Sequence, residues 1–262
     1  MNRIRATATV ALVLSAAGCV QSDTDDIDMG IAWVRDAAEF RALSMQAYRQ
    51  AGRDLGDKLA DTTWSALPDQ SGAADLAPAI ILDVDETAVS NVRFQEALVQ
   101  PFLDDKLNSW SNQNDAEAIP GAVEFVQSAV DAGVTVFFVT NRPCTPVGAD
   151  PCPQESIVIG DLREAGFPAD ESNVMLSGER PEWTKEKSIR RQHIAEEHRV
   201  VMLFGDDLGD FIDCTRKRPL DPCTAGATRE GRHADVDRFA DYWGNGWYVL
   251  PNPMHGSWTS MD

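Results

Sequence analysis

The sequence predicts an α/β fold in which a mostly parallel sheet carries helices on both faces. Two observations support this prediction. Beyond about residue 75, short apolar runs alternate with segments whose apolar residues recur three and four positions apart, so strands and helices alternate along the chain. The chain also has 262 residues, 43% of them hydrophobic, which is enough for one large domain with a sizeable core.

The first segment of the chain has the composition of an export signal. Arg3 and Arg5 precede an apolar run over residues 6–17, and Gly18 leads into Cys19. This run is too short to span a bilayer, which takes about 20 apolar residues. A charged start, a short apolar core and a small-residue end are typical of a cleaved signal peptide, which we place at residues 1–18.

The end of this signal, Ser-Ala-Ala-Gly-Cys, resembles a bacterial lipobox. In that case Cys19 becomes the lipidated first residue of the mature protein, and the polar, acidic stretch at 19–32 forms a tether between the anchor and the domain. Ala16 departs from the Leu that is usual three residues before such a cysteine. The alternative is an ordinary cleaved signal in which Cys19 has no special role.

The domain, residues 33–262, is predicted to begin with one long amphipathic helix over residues 33–59, followed by a loop at about 65–75. Five strands are then predicted, at 79–84, 134–140, 173–176, 200–204 and 247–250. Helices are predicted between them, at 120–133, 155–165 and 187–198. This alternation produces a Rossmann-like sheet, and in such sheets ligands bind beyond the carboxyl ends of the strands.

The charge balance excludes some classes of partner. Lys and Arg number 23 against 42 Asp and Glu, which gives a formal net charge of −19. A surface this negative repels phosphate backbones and anionic lipid headgroups. We therefore expect no nucleic-acid partner, and membrane association only through a lipid on Cys19.

Four of the five cysteines fall in two close pairs, Cys144 with Cys152 and Cys214 with Cys223. An exported protein can oxidise them, and four cysteines allow three connectivities. We favour the two local pairings because each closes a proline-containing loop within one connection. Zinc is the competing interpretation, but its paired ligands usually lie roughly two to four residues apart, and these pairs are more widely separated.

Charged and hydroxyl side chains follow the predicted strands, where ligands should bind. In strand order they are Asp83 and Asp85, then Thr140, then Lys185 and Lys187, then Asp206, Asp207 and Asp210. Carboxylates that converge at one edge of a sheet repel one another, and a hard divalent cation relieves that repulsion. Each piece alone also fits a turn or a helix cap. Their order at successive strand ends favours a metal-dependent catalytic site.

Longer segments around these residues carry a family pattern. They are Ile-Leu-Asp83-Val-Asp85-Glu-Thr-Ala-Val-Ser-Asn91, Phe-Val-Thr140-Asn141-Arg142, Lys187-x-x-Arg190-Arg191, Gly-Asp206-Asp207-Leu-x-Asp210-Phe211 and the tail Leu250-Pro-Asn-Pro-Met-His-Gly-Ser-Trp258. Together with the helix from residue 33, they resemble the haloacid dehalogenase superfamily of phosphotransferases. Within it they resemble the class C acid phosphatases, which are bacterial outer-membrane lipoproteins. The resemblance covers residues 33–258.

The resemblance implies a role for each strand-end residue. Asp83 is the nucleophile that takes the phosphoryl group as an aspartyl phosphate. Asp85 is the acid that protonates the leaving oxygen and then activates water. Thr140 hydrogen-bonds the phosphoryl oxygens and Lys187 neutralises them, since phosphoryl transfer depends mainly on positioning and charge stabilisation.

The resemblance also implies one Mg²⁺ ion. Its ligands are the Asp83 carboxylate, the Asp85 backbone carbonyl and Asp206, with Asp210 orienting either Lys187 or metal-bound water. The family often has Asn where this chain has Asp207. The extra negative charge either tightens metal binding or faces solvent.

The substrate side of the site is implied at Asn141, Trp110 and His255. The family commonly has Tyr where this chain has His255, so we expect a weaker preference for ring-containing substrates; the other interpretation is a surface histidine in a loop.

Trp110 lies in an insertion at about 88–119, which we expect to form a small, mainly helical lid together with the N-terminal helix. It resembles the family's substrate-stacking aromatic, with Phe94 and Phe102 as nearby alternatives. Packing of the lid is the other interpretation of all three rings.

The predicted function is a metal-dependent acid phosphatase that hydrolyses small phosphomonoesters, nucleoside 5′-monophosphates among them, through an aspartyl phosphate. The alternative is a catalytically silent binding or storage protein on the same scaffold, which loss of the first acid would mark; Asp83 is present. A mutase activity is disfavoured because its phosphorylated substrates are cytoplasmic. We expect an exported outer-membrane lipoprotein, and we leave a homodimer open as its assembly.

Overall fold

The computed structural model describes residues 23–98, 103–111 and 116–261. Its centre is a five-stranded sheet in which every pair of neighbours is parallel, in the order β5-β4-β1-β6-β7. The strands are β1 Ala77–Leu82, β4 Thr135–Pro143, β5 Val174–Ser177, β6 His198–Gly205 and β7 Trp247–Val249. All five predicted strands are confirmed, and the order places β1 between β4 and β6.

Helices precede the first strand and connect the later ones, and they cover both faces of the sheet. They are α1 Asp23–Asp36, α2 Ala38–Ala60, α3 Val92–Ala97, α4 Asp104–Ser111, α5 Ala122–Asp131, α6 Pro153–Glu164, α7 Ser188–Ala195 and α8 Arg229–Arg238. Of these, α5, α6 and α7 confirm the three helices predicted between strands, whereas the polar α8 was not predicted.

The core divides into two layers because successive residues of a strand point to opposite faces. Ile80 and Leu82 of β1 belong to the larger cluster, which includes the apolar residues of α2, α5 and α6. Ile81, their neighbour in the same strand, belongs to the second cluster, with Ile194 of α7 and Trp247 of β7. A central strand buried on both faces confirms the doubly covered sheet that the sequence predicts.

The N-terminal helix differs from its prediction. The single helix expected over 33–59 is two helices, since Ala37 between α1 and α2 has an extended backbone with φ −79° and ψ 125°. Apolar residues recur at helical spacing on both sides of Ala37, so the sequence pattern does not show the break.

The predicted tether at 19–32 is also wrong in its second half. Helix α1 already begins at Asp23. Ile31 and Val34 are buried, and a side chain on Gly30 would meet the backbone oxygen of Pro253 at 2.4 Å. The end of the acidic stretch is therefore part of the domain. The predicted signal peptide and Cys19 lie outside the described residues. Among the helices that the structure does describe, none has the length and apolar character needed to cross a bilayer.

The insertion after β1 contains α3 and α4 and is closed by a short antiparallel pair, β2 Val89–Ser90 with β3 Glu117–Ala118. Helix α1 contacts it, with Arg35 donating to the Glu96 carboxylate at 2.5 Å. The insertion is mainly helical, as predicted, but its two-residue strands are too short for the sequence to indicate.

Both local disulfides are formed, Cys144 with Cys152 and Cys214 with Cys223. The favoured pairing is therefore confirmed. The zinc alternative is wrong, because all four sulfurs are engaged in these bonds.

Candidate active site

The predicted strand-end residues converge because of the sheet order. Asp83 directly follows β1, Thr140 lies near the end of β4, and Asp206 directly follows β6. Since β4 and β6 flank β1, these three side chains meet at one edge. A cavity of about 420 Å³ opens there, with Asp83, Asp85 and Lys187 in its wall.

Lys187 is the counter-charge of the first acid. It lies just before α7, and its Nζ contacts Asp83 Oδ1 and lies 2.7 Å from both Asp210 Oδ1 and the Val139 carbonyl oxygen. Burial raises the pKa of Asp83 to about 7, although Lys187 acts in the opposite direction. Burial also works against the charge of Lys187, but Asp210 and Asp83 outweigh it and raise the lysine pKa. Lys187 is therefore held as a cation beside Asp83.

Asp85 has a different set of partners. Its carboxylate accepts hydrogen bonds from Arg142 Nη2 at 2.7 Å, from Asn91 Nδ2 at 2.7 Å and from Thr140 Oγ1 at 3.3 Å. Burial opposes its ionisation, but the charge and hydrogen bonds of Arg142, with help from Asn91, lower its pKa. Two carboxylates two residues apart thus have their pKa values shifted in opposite directions, because burial dominates at Asp83 and the Arg142 guanidinium dominates at Asp85.

A strained turn fixes the direction of Asp85. The next residue, Glu86, has φ 57°, in the left-handed region that is uncommon outside glycine. Its N–H donates to the Val89 carbonyl at 2.7 Å, and its carboxylate accepts the Asn91 N–H at 3.0 Å. The turn therefore brings Asn91 back to Asp85.

Three carboxylates form a group that fits a metal ion. Oxygens of Asp83, Asp206 and Asp210 all lie within 4.8 Å of one another. Burial, together with the charges of Asp210 and Asp83, raises the pKa of Asp206 well above its usual value. A hard cation with oxygen ligands would stabilise all three ionised groups. The Asp85 side chain is not in this group, because Arg142 holds it.

Asp210 has little freedom to act as a ligand. One of its oxygens lies beside Lys187, and the other accepts the Asp207 N–H at 2.9 Å. This arrangement suits the predicted role of orienting Lys187.

Asp207 binds the C-terminal tail of the chain at the edge of the site. Its carboxylate accepts hydrogen bonds from Gly209 N at 2.8 Å, from Ser257 N at 2.5 Å and from Ser257 Oγ at 2.8 Å. Burial opposes its ionisation, but these hydrogen bonds lower its pKa. The residue that departs from the family pattern therefore anchors the C-terminal tail. Neither of the two expectations, tighter metal binding or a solvent-facing charge, describes it.

The tail also contacts two other acids of the site, Asp206 and Glu86. Asn252 Nδ2 donates to Asp206 Oδ2 at 2.7 Å. His255 lines the cavity with Nε2 3.6 Å from Glu86 Oε1, and its pKa is raised because Glu86 outweighs the effect of burial. Asn141 also lines the cavity, and its Oδ1 accepts from Arg190 Nη2 at 2.8 Å. Two of the three predicted substrate residues, Asn141 and His255, are therefore at the cavity.

Trp110 is placed differently from its prediction. It is absent from the described cavity lining, and its ring packs against Phe94 with centroids 5.7 Å apart. It also contacts the larger core cluster. These contacts favour the packing interpretation of Trp110. Phe94 is buried, and Phe102 lies outside the described residues. The described apolar side chains of the cavity wall are Leu98, Leu107 and Met254.

Arg142 is the main site residue whose role the sequence pattern does not predict. Besides Asp85 it contacts Asp161 Oδ2 at 2.8 Å and Ser111 Oγ at 3.0 Å, both through Nη1. The sequence could have indicated a site role for Arg142, because it lies two residues after Thr140 at the end of the same strand. Nothing in the sequence indicates Asp161, which lies inside α6.

Comparisons with known proteins agree with this geometry. Residues 19–258 match the model of a family described as HAD superfamily, subfamily IIIB (Acid phosphatase). The structure is similar to the crystal structure of class C acid phosphatase from Bacillus anthracis with tungstate bound, with a TM-score of 0.71 and 27% identity, covering 90% of this chain and 87% of that one. A second structure of the class C acid phosphatase from Bacillus anthracis matches with the same TM-score and coverage at 28% identity.

Proposed function

The chain belongs to the acid phosphatases of HAD superfamily subfamily IIIB, which are phosphomonoester hydrolases, and we propose that it works through an aspartyl phosphate formed on Asp83. The observation that carries this proposal is the contact of Asp83 with Lys187 at the wall of the cavity, beside the oxygens of Asp206 and Asp210. A nucleophile, a fixed cation and a cation-binding group are thereby brought together in one place.

In the first step, an Asp83 carboxylate oxygen attacks phosphorus and the bond from phosphorus to the ester oxygen breaks. Asp85 donates its proton to that oxygen, which leaves as an alcohol. In the second step, water attacks phosphorus, Asp85 takes a proton back, and the bond from phosphorus to the Asp83 oxygen breaks. Inorganic phosphate leaves and both carboxyl groups return to their starting state. The lowered pKa of Asp85 means that acidic conditions favour the protonated form that the first step needs.

Lys187 acts on the transferred group, and Thr140 lies beside the proton donor. Lys187 places its charge beside the attacking oxygen of Asp83, where negative charge on the phosphoryl group must be stabilised. Thr140 Oγ1 accepts the Arg142 N–H at 3.1 Å and lies 3.3 Å from Asp85 Oδ2, so its hydroxyl lies next to the proton donor.

We propose Mg²⁺ as the cation, held by Asp83, the Asp85 backbone carbonyl and Asp206. Their oxygen ligands are the kind that Mg²⁺ prefers. Bound there, the ion would offset the repulsion between the acids and polarise a phosphoryl oxygen.

The proposed substrates are small phosphomonoesters. The described apolar wall of Leu98, Leu107 and Met254 offers contact to the organic part of an ester without an aromatic stack. Nucleoside 5′-monophosphates are included in the proposed class, without a strong preference for them.

The experiment is to trap the intermediate. The enzyme is mixed with a ³²P-labelled phosphomonoester and quenched in acid within milliseconds. We expect protein-bound label that hydroxylamine releases, as it does from acyl phosphates. The matched control is Asp83→Asn, which should carry none. Steady turnover without bound label in the wild type, or equal label in Asp83→Asn, contradicts the nucleophile assignment.

We also propose that the protein is exported and anchored to the outer membrane by lipid on Cys19. The support is the sequence of residues 1–19 alone. Mass spectrometry of the mature N-terminus tests it, with Cys19→Ser as the control. A mature chain beginning at an unmodified residue contradicts the anchor.

A further inference from the structure

Two cations in the cavity wall have no part in the reaction as derived above. Lys185 and Arg216 line the same cavity as Asp83. Lys187 and Arg142, the other Lys and Arg side chains of that wall, are each paired with two carboxylates. Lys185 is exposed and makes no hydrogen bond or ion pair with any residue that the structure describes.

Arg216 is held at the cavity by its surroundings. It lies in the loop that the Cys214–Cys223 disulfide closes, and Cys214 N donates to Glu186 Oε2 at 2.9 Å. Glu186 is buried, and its other oxygen, Oε1, makes no hydrogen bond and lies 3.8 Å from Arg216 Nε. The Glu186 carboxylate therefore fixes the loop by its hydrogen bond from Cys214 N. It also attracts the Arg216 guanidinium but accepts no hydrogen bond from it, so the N–H groups of Arg216 stay available.

The donors that remain suit an anion. A guanidinium has five N–H groups in a fixed fork, which matches the oxygens of a carboxylate or a phosphate. Arg216 is 29% exposed, so these groups are accessible from the cavity that it lines.

Binding of the transferred phosphoryl group does not explain why Lys185 and Arg216 lie in the cavity wall. Lys187 already faces the nucleophile, and a cavity of about 420 Å³ is large enough for a ligand of drug-like size. The chain has a net charge of −19, and Asp104 also lines this cavity, so the general field of the protein repels an additional anion. Two cations in this wall offset that repulsion locally.

Resting on the proposed function of Asp83, we propose that Lys185 and Arg216 form a second anion subsite, selective for phosphomonoesters that carry a carboxylate or a second phosphate on the same small molecule. The phosphoryl group to be transferred lies at Asp83, and the second anion lies between the two cations.

The test compares two substrates that differ in one group. 3-Phosphoglycerate and glycerol 3-phosphate are esters of the same primary hydroxyl, and the first has a carboxylate where the second has a hydroxymethyl group. We expect the kcat/KM of the wild type to be about tenfold higher for 3-phosphoglycerate, as two partly exposed ion pairs imply. The preference should decrease in 0.5 M salt, because salt screens such pairs.

Variants of the two cations test whether they cause this substrate preference. Arg216→Gln and Lys185→Gln should each lower the substrate ratio by about three- to fivefold, and the double variant should remove the preference. Arg218→Gln is the matched control, since Arg218 is an exposed cation of the same loop outside the described lining of the cavity. A ratio of one or less in the wild type at low salt, both for this pair and for the bisphosphate pair described next, overturns the proposal, and so does an equal effect of Arg218→Gln.

A second pair of substrates distinguishes the kinds of anion. The kcat/KM of propane-1,3-diol monophosphate is compared with that of propane-1,3-diol bisphosphate. The value for the bisphosphate is first divided by two, because that molecule has two equivalent phosphate esters. Preference for the bisphosphate alone assigns the subsite to phosphate, and preference for 3-phosphoglycerate alone assigns it to carboxylate. Failure of the proposed function has a different signature: the wild type then turns over these substrates without any hydroxylamine-labile label on the protein, whatever the ratio of their rates.

Discussion

Arg142 and Asp161 form an ion pair with 2.8 Å between Nη1 and Oδ2, and neither side chain is more than 1% exposed. The same guanidinium donates to Asp85 through Nε and Nη2, and to Ser111 at the end of α4. Arg142 therefore connects the proposed proton donor to α6 and to the lid. Asp161 has no other ion pair in the described structure, and burial raises its pKa despite Arg142.

Asp161→Asn should damage proton transfer more than it damages phosphoryl binding, because it removes the charge that holds Arg142 against Asp85. We expect kcat/KM to decrease by about tenfold or more for an alkyl phosphate, as general acid catalysis is worth about 10²–10⁴, and to decrease much less for p-nitrophenyl phosphate. Removing one partner of a buried pair should also cost about 3–5 kcal/mol of unfolding free energy. Kinetics on both esters at a temperature where the variant is folded provide the measurement.

The control for this prediction is Asp213→Asn, which breaks a partly buried pair with Arg191, an arginine that does not contact Asp85. If Asp161→Asn lowers both rates equally, as a merely structural residue would, its positioning role is wrong.

Asn91→Ala should move the pH profile to higher pH. The Asn91 hydrogen bond stabilises the ionised form of Asp85, so its loss raises the pKa of that carboxyl. The protonated donor then persists to higher pH, and the falling limb of kcat/KM should shift upward by about one pH unit, as about 1.5 kcal/mol for a charged hydrogen bond implies.

A profile of kcat/KM against pH for an alkyl phosphate measures this shift. Gln95→Ala, which changes another residue of the cavity wall, is the comparison and should leave the limb in place. A downward shift in Asn91→Ala would be incompatible with Asp85 as the proton donor.

Chelation should remove activity and Mg²⁺ should restore it, since Asp83, Asp206 and Asp210 crowd their oxygens within 4.8 Å. Two neighbouring acids provide a matched pair of variants. Asp206→Asn should weaken Mg²⁺ binding by at least about tenfold, as the loss of a carboxylate ligand implies. Asp207→Asn should leave Mg²⁺ affinity nearly unchanged, because the Asp207 carboxylate faces Gly209 and Ser257.

Titration of EDTA-treated enzyme with Mg²⁺, followed by activity and by calorimetry, distinguishes the two variants. Full activity in protein shown to be metal-free by elemental analysis would refute the metal site.

Trp110→Ala should reduce activity on a nucleoside 5′-monophosphate and on glycerol phosphate to a similar extent. The ring packs on Phe94 inside the insertion, so its loss loosens the lid instead of removing a substrate contact. A cavity of this kind should cost about 3–5 kcal/mol of stability at full burial, and less for this partly buried ring. Paired kinetics and a thermal melt are the measurements. A loss confined to the nucleotide would restore the stacking interpretation.

The sequence determined the sheet and the location of its chemistry. Five apolar runs predict β1, β4, β5, β6 and β7, because strands buried on both faces must be apolar throughout. Parallel strands end at one edge, so acids that follow β1 and β6 had to meet there. The contact of Lys187 with Asp83 and the grouping of Asp206 and Asp210 follow from that topology and from the family pattern.

The tertiary structure alone decided which side chains face the cavity. Helical spacing is the same on both sides of Ala37 and around Trp110, so it shows neither a one-residue break nor the neighbour that a ring will contact. Asp207 is bound by Ser257, fifty residues later, and Asp161 by Arg142 across two elements. Side-chain direction depends on packing between distant segments, whereas strand positions depend on local hydrophobicity. For this reason the acids at the strand ends were predictable from the sequence, and the partners that set their pKa values were not.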